Sequence, residues 1–183
     1  TQGFKSFASL AYEADISSST VVQKYQQAVL WISGGFDMGN TSQLVYSNGT
    51  ISEGPEMPEK LIGHCVVAIN KTTVLVIGGC NDNGDTTKKT YKKKYNFDSG
   101  QWSNGSELLI ERYGHACGVV ENSTNLMIVV IGGRNNHQNE YFDSVEFAVL
   151  DKEGGHLNEY RFENKVEYRN NAYNIKESRR AED

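Results

Sequence analysis

Apolar residues fall into short runs along the chain, and three of the runs end alike. They are Val29-Leu30-Trp31-Ile32-Ser33-Gly34-Gly35, Val74-Leu75-Val76-Ile77-Gly78-Gly79 and Met127-Ile128-Val129-Val130-Ile131-Gly132-Gly133. Each is short, largely β-branched and followed by a polar loop, which predicts a buried strand. A glycine pair closing such a strand allows positive φ and lets a neighbouring backbone or bulky side chain come close.

A second match extends the repeat. Residues 50–64 align without a gap on residues 101–115, with identities at Ser52/Ser103, Gly54/Gly105, Glu56/Glu107, Gly63/Gly114 and His64/His115. Each histidine precedes another apolar stretch, Cys65 to Ile69 and Ala116 to Val120. Polar turns then lead into the glycine-ended strands. Third strands follow at Ser42 to Tyr46, Thr90 to Tyr95 and Ser144 to Leu150, each before a turn rich in Asn, Asp, Ser, Lys or Gly. The clearest fourth strand is Gln101-Trp102-Ser103. Four strands at this period make one blade of an all-β propeller.

The set is fullest in the second unit: Gly78-Gly79, Tyr95, Trp102, then Arg112-Tyr113-Gly114-His115. In this it resembles the Kelch repeat over roughly residues 29 to 157. The resemblance implies a Kelch-type β-propeller, here partial, with three recognisable four-stranded blades. It departs from the pattern at Ile51 in place of Trp102, Leu61 in place of Arg112, and Phe147 in place of the tyrosine. Gly34, Gly35, Gly78, Gly79, Gly132, Gly133, Tyr95, Trp102, His64 and His115 are expected to pack the blades and touch no ligand. The domain reading is an N-terminal segment 1–28, for which a partial fourth blade is one interpretation; repeats over 29–160; and a polar segment 161–183, a last strand or a disordered end. Three blades do not close a ring, so the natural protein is expected to be longer.

Composition narrows the function. Hydrophobic residues make up 38% and charged residues 22%, as in a soluble globular protein. A net charge of −5 argues against a nucleic-acid partner, which wants a basic surface. No apolar run has the length of a membrane span. Lys88-Lys89 and Lys92-Lys93-Lys94 form a local basic run. It reads as a solvated edge that resists strand pairing, or as a site for an anionic partner.

Five Asn-x-Ser/Thr sequons, at Asn40, Asn48, Asn70, Asn104 and Asn122, exceed the roughly two expected by chance for so short a motif. Three lie in turns at one end of the blades, which favours an extracellular or cell-surface glycoprotein over a cytoplasmic protein. The three cysteines, Cys65, Cys80 and Cys117, allow one bridge or none. A Cys65–Cys80 bridge within one hairpin is conceivable, although the register sets the two about two residues out of step; buried free thiols are the alternative.

No catalytic elbow, phosphate loop or zinc spacing is present, and no metal or other cofactor is expected. Kelch proteins bind protein partners through loops on one propeller face. By that resemblance the loops after the double glycines are the candidate site, with Asp37, Asp82, Arg112, Arg134 and Asn135 offering contacts. Two alternatives share the fold: an intracellular adaptor for a cullin-type ubiquitin ligase, and a galactose-oxidase-like copper enzyme. For the latter, Tyr113 beside His115 and Cys117 is the nearest approach to a metal site.

Overall fold

The computed structural model describes residues 17–24, 26–36, 39–70, 73–94, 101–121, 123–135, 140–151 and 162–165. Blade one is the antiparallel sheet of β1 (Ser18–Lys24), β2 (Gln27–Ser33), β3 (Ser42–Val45) and β4 (Ile51–Glu53). Blade two is β5 (Cys65–Asn70), β6 (Thr73–Ile77), β7 (Thr90–Lys94) and β8 (Trp102–Asn104). Blade three begins with β9 (Ala116–Glu121) and β10 (Asn125–Ile131). A small hairpin of β11 (Arg134–Asn135) and β12 (Glu140–Tyr141) follows, then β13 (Val145–Asp151) and β14 (Glu163–Lys165). Each blade is a four-stranded meander, so the fold is all-β and of the propeller kind.

The strand pairing places two ends of the blades. Ser18–Lys24 pairs with β2 from Ser18↔Ser33 to Lys24↔Gln27 and is the first strand of blade one, not part of a further blade. Weak alternation in this stretch hid it: Val22 is buried while Val21 faces out. Within the polar C-terminal segment, Glu163–Lys165 pairs with β13 and closes blade three. Tyr95 lies outside the described residues.

The blades stack through two apolar layers. Alternation along β6 decides which residue enters which layer. Val74 and Val76 point to blade one and pack with Val22, Val29, Trp31, Leu44, Met57 and Leu61. Leu75 and Ile77 point to blade three and pack with Leu108, Leu126, Ile128, Val130, Ala148 and Leu150. A strand covered on both faces loses its polar alternation, which is why residues 74–77 read as continuously apolar. Each fully buried Leu, Ile or Val contributes roughly 1.5–3 kcal/mol relative to exposure. At the outer side of blade three Ile131 is 50% exposed, whereas Ile77, its equivalent in blade two, is fully buried.

Candidate interaction surface

The double glycines and the histidines belong to one device. In blades one and two the first glycine of the pair sits under the histidine that starts the next blade. A Cβ on Gly78 would lie 2.7 Å from His115 Cε1 and 2.7 Å from the Arg112 carbonyl oxygen. Gly34 stands in the same relation to His64. The second glycine backs the histidine of its own blade, Gly79 against His64 and Gly133 against His115. Gly34, Gly78 and Gly132 have φ of 59°, 57° and 68°, where a side chain is strained in any case.

Both imidazoles are buried. Burial pushes His64 down to about 4, opposed by the Leu61 backbone carbonyl. It does the same to His115, also about 4, where the positive charge of Arg112 adds to the fall. Both are therefore neutral at pH 7. His64 Nε2 hydrogen-bonds the Ser33 hydroxyl at 3.1 Å.

Arg112 is not a partner-binding residue. Its side chain is fully buried, and its guanidinium donates to Glu146 Oε1 at 2.5 Å, Ser144 Oγ at 3.1 Å and the Gly132 carbonyl at 2.7 Å. The Glu146 carboxylate, equally buried, also accepts the backbone N–H groups of Leu109 (2.7 Å) and Ile110 (3.2 Å). The cluster ties the segment leaving blade two to the third strand of blade three. Sequence reasoning missed Glu146, yet the signal was present. Alternation places it on the face of Ala148 and Leu150, where a carboxylate needs a buried cation. Trp102 works similarly between blades one and two: its Nε1 donates to the Glu56 carbonyl at 2.7 Å, and its ring lies 6.1 Å from Trp31.

The loops after the double glycines gather at one end of the stack. There the nominated residues divide. Asn135 is buried and donates to Glu111 at 3.4 Å, so it too is structural. Asp37 lies outside the described residues. Asp82 is exposed and pairs with Lys60 at 2.7 Å. Arg134 is exposed and lies over the Tyr113 ring at 4.7 Å and the Tyr141 ring at 5.8 Å, with its Nη1 donating to the Tyr141 hydroxyl at 3.2 Å. Phe36 (62% exposed) and Tyr141 (73% exposed) share this end, and sequence reasoning had not singled them out. An exposed tyrosine next to Arg on a loop held by rigid strands, as Tyr141 is next to Arg134, is what protein-binding surfaces concentrate.

The cysteines also correct an expectation. Cys65 is bridged to Cys117, across two blades, with Cα atoms 6.0 Å apart. Cys80, the other half of the conceivable hairpin bridge, is the buried free thiol, its pKa raised by burial. The repeat alignment explains the pairing. Cys65 matches Ala116, and Cys117 is one residue further on, so the two point to opposite faces of equivalent strands. On neighbouring blades those faces meet. The bridge removes Cys117 from any copper site. His115 is buried against Gly78, and the Tyr113 ring lies beneath Arg134. Among the described residues no group of three or more His, Cys, Asp or Glu side chains is placed to hold a metal ion.

The remaining candidates are surface positions. Asn48, Asn70 and Asn104 are exposed; Asn40 is partly buried with its Nδ2 donating to Glu56 at 2.6 Å; Asn122 lies outside the described residues. Lys88 and Lys89 form ion pairs with Glu107 and Glu59, which neutralises that part of the basic run. Among the described residues no helix is long and apolar enough to cross a membrane.

Blade meander, glycine pair and blade-starting histidine together define a Kelch-type β-propeller fold, present here as three blades. Comparison with known proteins agrees. The chain is 38% identical over 77 residues to a Kelch domain-containing protein of Saccharolobus solfataricus, a match spanning 42% of this chain and 10% of that protein. Among solved structures it superposes on the propeller YjhT with a TM-score of 0.61 at 12% identity, covering 87% of this chain and 53% of YjhT. No protein-family profile matches the sequence. The chain thus resembles Kelch proteins in sequence and fold, and spans about half of that structure and a tenth of that curated relative.

Proposed function

We propose that this chain is a protein-interaction module of an extracellular or cell-surface protein, binding through the loop end that carries Phe36, Asp82, Arg134 and Tyr141 and performing no catalysis. The observation that carries this reading is the exposed Arg134 and Tyr141 side by side on a hairpin, with Phe36 and Asp82 exposed on other loops of the same end. Isolated exposed apolar residues are ordinary, but an aromatic and arginine grouping on one rigid end is the composition of binding hot spots.

Two features support the compartment. A disulfide joining the first strands of two blades persists in oxidising surroundings and is rare in the cytosol. Of the exposed sequons, Asn48 sits in the turn after β3 and Asn70 ends β5, both at the end opposite the loops, where glycans leave the loops clear. Half-exposed Ile131 on blade three supports further blades in the whole protein.

The test is expression of the chain through a secretory pathway, followed by peptide mapping without reductant and glycosidase treatment. The expected result is a Cys65–Cys117 linked peptide and glycans at Asn48 and Asn70, with Asn40 unmodified. The same material is then offered to intact cells, where Tyr141→Ala and Asp82→Ala lower binding and Ser47→Ala does not. Secretion without bridge or glycan would sink the extracellular reading. Binding lost through Ser47→Ala alone would sink the loop-end reading.

A further inference from the structure

Within the proposed binding end, and resting on that reading, we infer that Arg134 is a preformed receptor for a carboxylate presented by an acidic segment of a protein partner.

The residue is held from both sides by backbone pairing. Tyr113 and Arg134 exchange N–H···O bonds, each 3.0 Å, and on the other side Arg134 is the register partner of Tyr141 in the β11–β12 hairpin. The three residues therefore form a cross-strand row, Tyr113–Arg134–Tyr141. Side chains directly opposite across such pairs lie close enough to interact. That places the guanidinium over the buried Tyr113 ring and beside the exposed Tyr141 ring. The Tyr141 hydroxyl accepts from Nη1 and fixes the rotation of the fork. A long arginine ordinarily loses much rotamer freedom on binding, and here that freedom is already restricted.

The charge at this position is unneutralised by its neighbourhood. Among the described residues no carboxylate lies within ion-pair distance of Arg134. Two carboxylates of this end are engaged elsewhere: Asp82 with Lys60 at 2.7 Å, and Glu111 with Thr86 and Asn135, both at 3.4 Å. Several of the other described cations are matched. Arg112 is buried against Glu146, and Lys88 and Lys89 face Glu107 and Glu59. A chain of net charge −5 thus presents a solvent-facing guanidinium on an aromatic mount, beside the exposed Tyr141. A planar fork suits a carboxylate in two-point hydrogen bonding, and lysine does not reproduce that geometry. Tyr141 beside the guanidinium adds apolar area, so the fitting partner is a peptide segment with Asp or Glu near an apolar residue.

The experiment is selection of a random peptide library on the whole chain, then affinity measurement with a synthetic copy of the most enriched peptide. Enriched sequences are expected to carry Asp or Glu. Arg134→Ala weakens binding at least tenfold, Arg134→Lys by a similar factor, and replacing the peptide carboxylate by its amide does the same. Combining Arg134→Ala with the amide peptide costs no more than either change alone, the mark of a direct pair. Circular dichroism melting of Arg134→Ala unchanged from the parent separates lost contact from lost fold; an altered melt transfers the decision to the peptide-side amide, which leaves the protein intact. Enriched peptides without carboxylates, or affinity indifferent to both changes, overturn the inference. If such peptides still lose affinity with Tyr141→Ala or Asp82→Ala, the loop end remains the binding surface and only the carboxylate falls. Peptides indifferent to every loop substitution, or no enrichment at all, overturn both.

Discussion

The two blade junctions use one geometry and different chemistry. Between blades two and three, Arg112 from the connecting segment meets Glu146 on the third strand, and Cys65–Cys117 joins the first strands. Between blades one and two, the equivalent positions are Leu61 and Tyr91, which share an apolar cluster, and no disulfide is present. Tyr91 matches Glu146 by register, since Tyr91 pairs with Val76 and Glu146 with Val130. The Tyr91 hydroxyl meets Glu59, and that carboxylate together with burial pushes its phenol up. The repeat thus fixes the place where connector and third strand meet, and leaves open whether charge or apolar contact fills it. A matched pair is what matters: Leu61 against Glu146, or Arg112 against Tyr91, would bury an unanswered group.

Breaking the charged junction gives the largest expected effect. Arg112→Leu leaves the Glu146 carboxylate buried without its cation, and Glu146→Tyr leaves the guanidinium buried without its anion; each is expected to cost roughly 3–5 kcal/mol. The double change imports the blade one–two pair and is expected to recover a large part of that loss. Recovery is incomplete because the Leu109 and Ile110 N–H groups lose their acceptor, at about 1–3 kcal/mol each. Urea unfolding of the two single variants and the double variant measures the coupling. A double variant as unstable as the sum of the singles would show that the junctions are not interchangeable.

A second comparison runs along the glycine pairs and has a smaller expected effect. Gly34 and Gly78 lie under the histidines of following blades, whereas the nearest atom to a Cβ on Gly132 is the Phe142 carbonyl oxygen at 3.4 Å. Gly78→Ala therefore combines the cost of left-handed backbone, about 1–2 kcal/mol, with overpacking of about 1–3 kcal/mol. Gly132→Ala carries mainly the first. Thermal melts should rank Gly78→Ala well below Gly132→Ala. Equal losses would mean that backbone strain alone accounts for the glycine and that the histidine contact is incidental.

How much of this was legible in the sequence follows from which signals repeat. Strands and fold class were plain because the glycine-ended runs recur and β6 is apolar on both faces. Blade one's first strand was hidden because its pattern is mixed and Ser17 stands where His64 and His115 stand. The candidate site was less legible. Arg112 and Asn135 look like loop polarity, and only the fold shows them turned inward onto Glu146 and Glu111. The Cys65–Cys117 bridge required the step from an offset of one residue to opposite faces of neighbouring sheets, a relation that linear spacing does not express. Tyr141 carried no repeat signal at all, since loops vary on a fixed scaffold.

The smallest expected effect distinguishes the two junction histidines. Both have folded-state pKa values near 4 against 6.5 for free imidazole, so the unfolded chain binds more protons between these limits. Their neutral burial is accommodated fully above about pH 6.5, and stability falls as pH drops towards 4, by about 1 kcal/mol per histidine at pH 5.5 relative to neutrality. His115 differs from His64 in having Arg112 among the causes of its shift, while the Ser33 hydroxyl is a partner of His64. Replacing Arg112 by Leu, with Glu146→Tyr to keep the junction matched, is therefore expected to raise the pKa of His115 and leave His64 near its parent value. Imidazole titration by NMR in the folded range reads both residues at once. Parallel movement of the two would mean that burial alone sets them, and that the charged junction does not reach the histidine beside it.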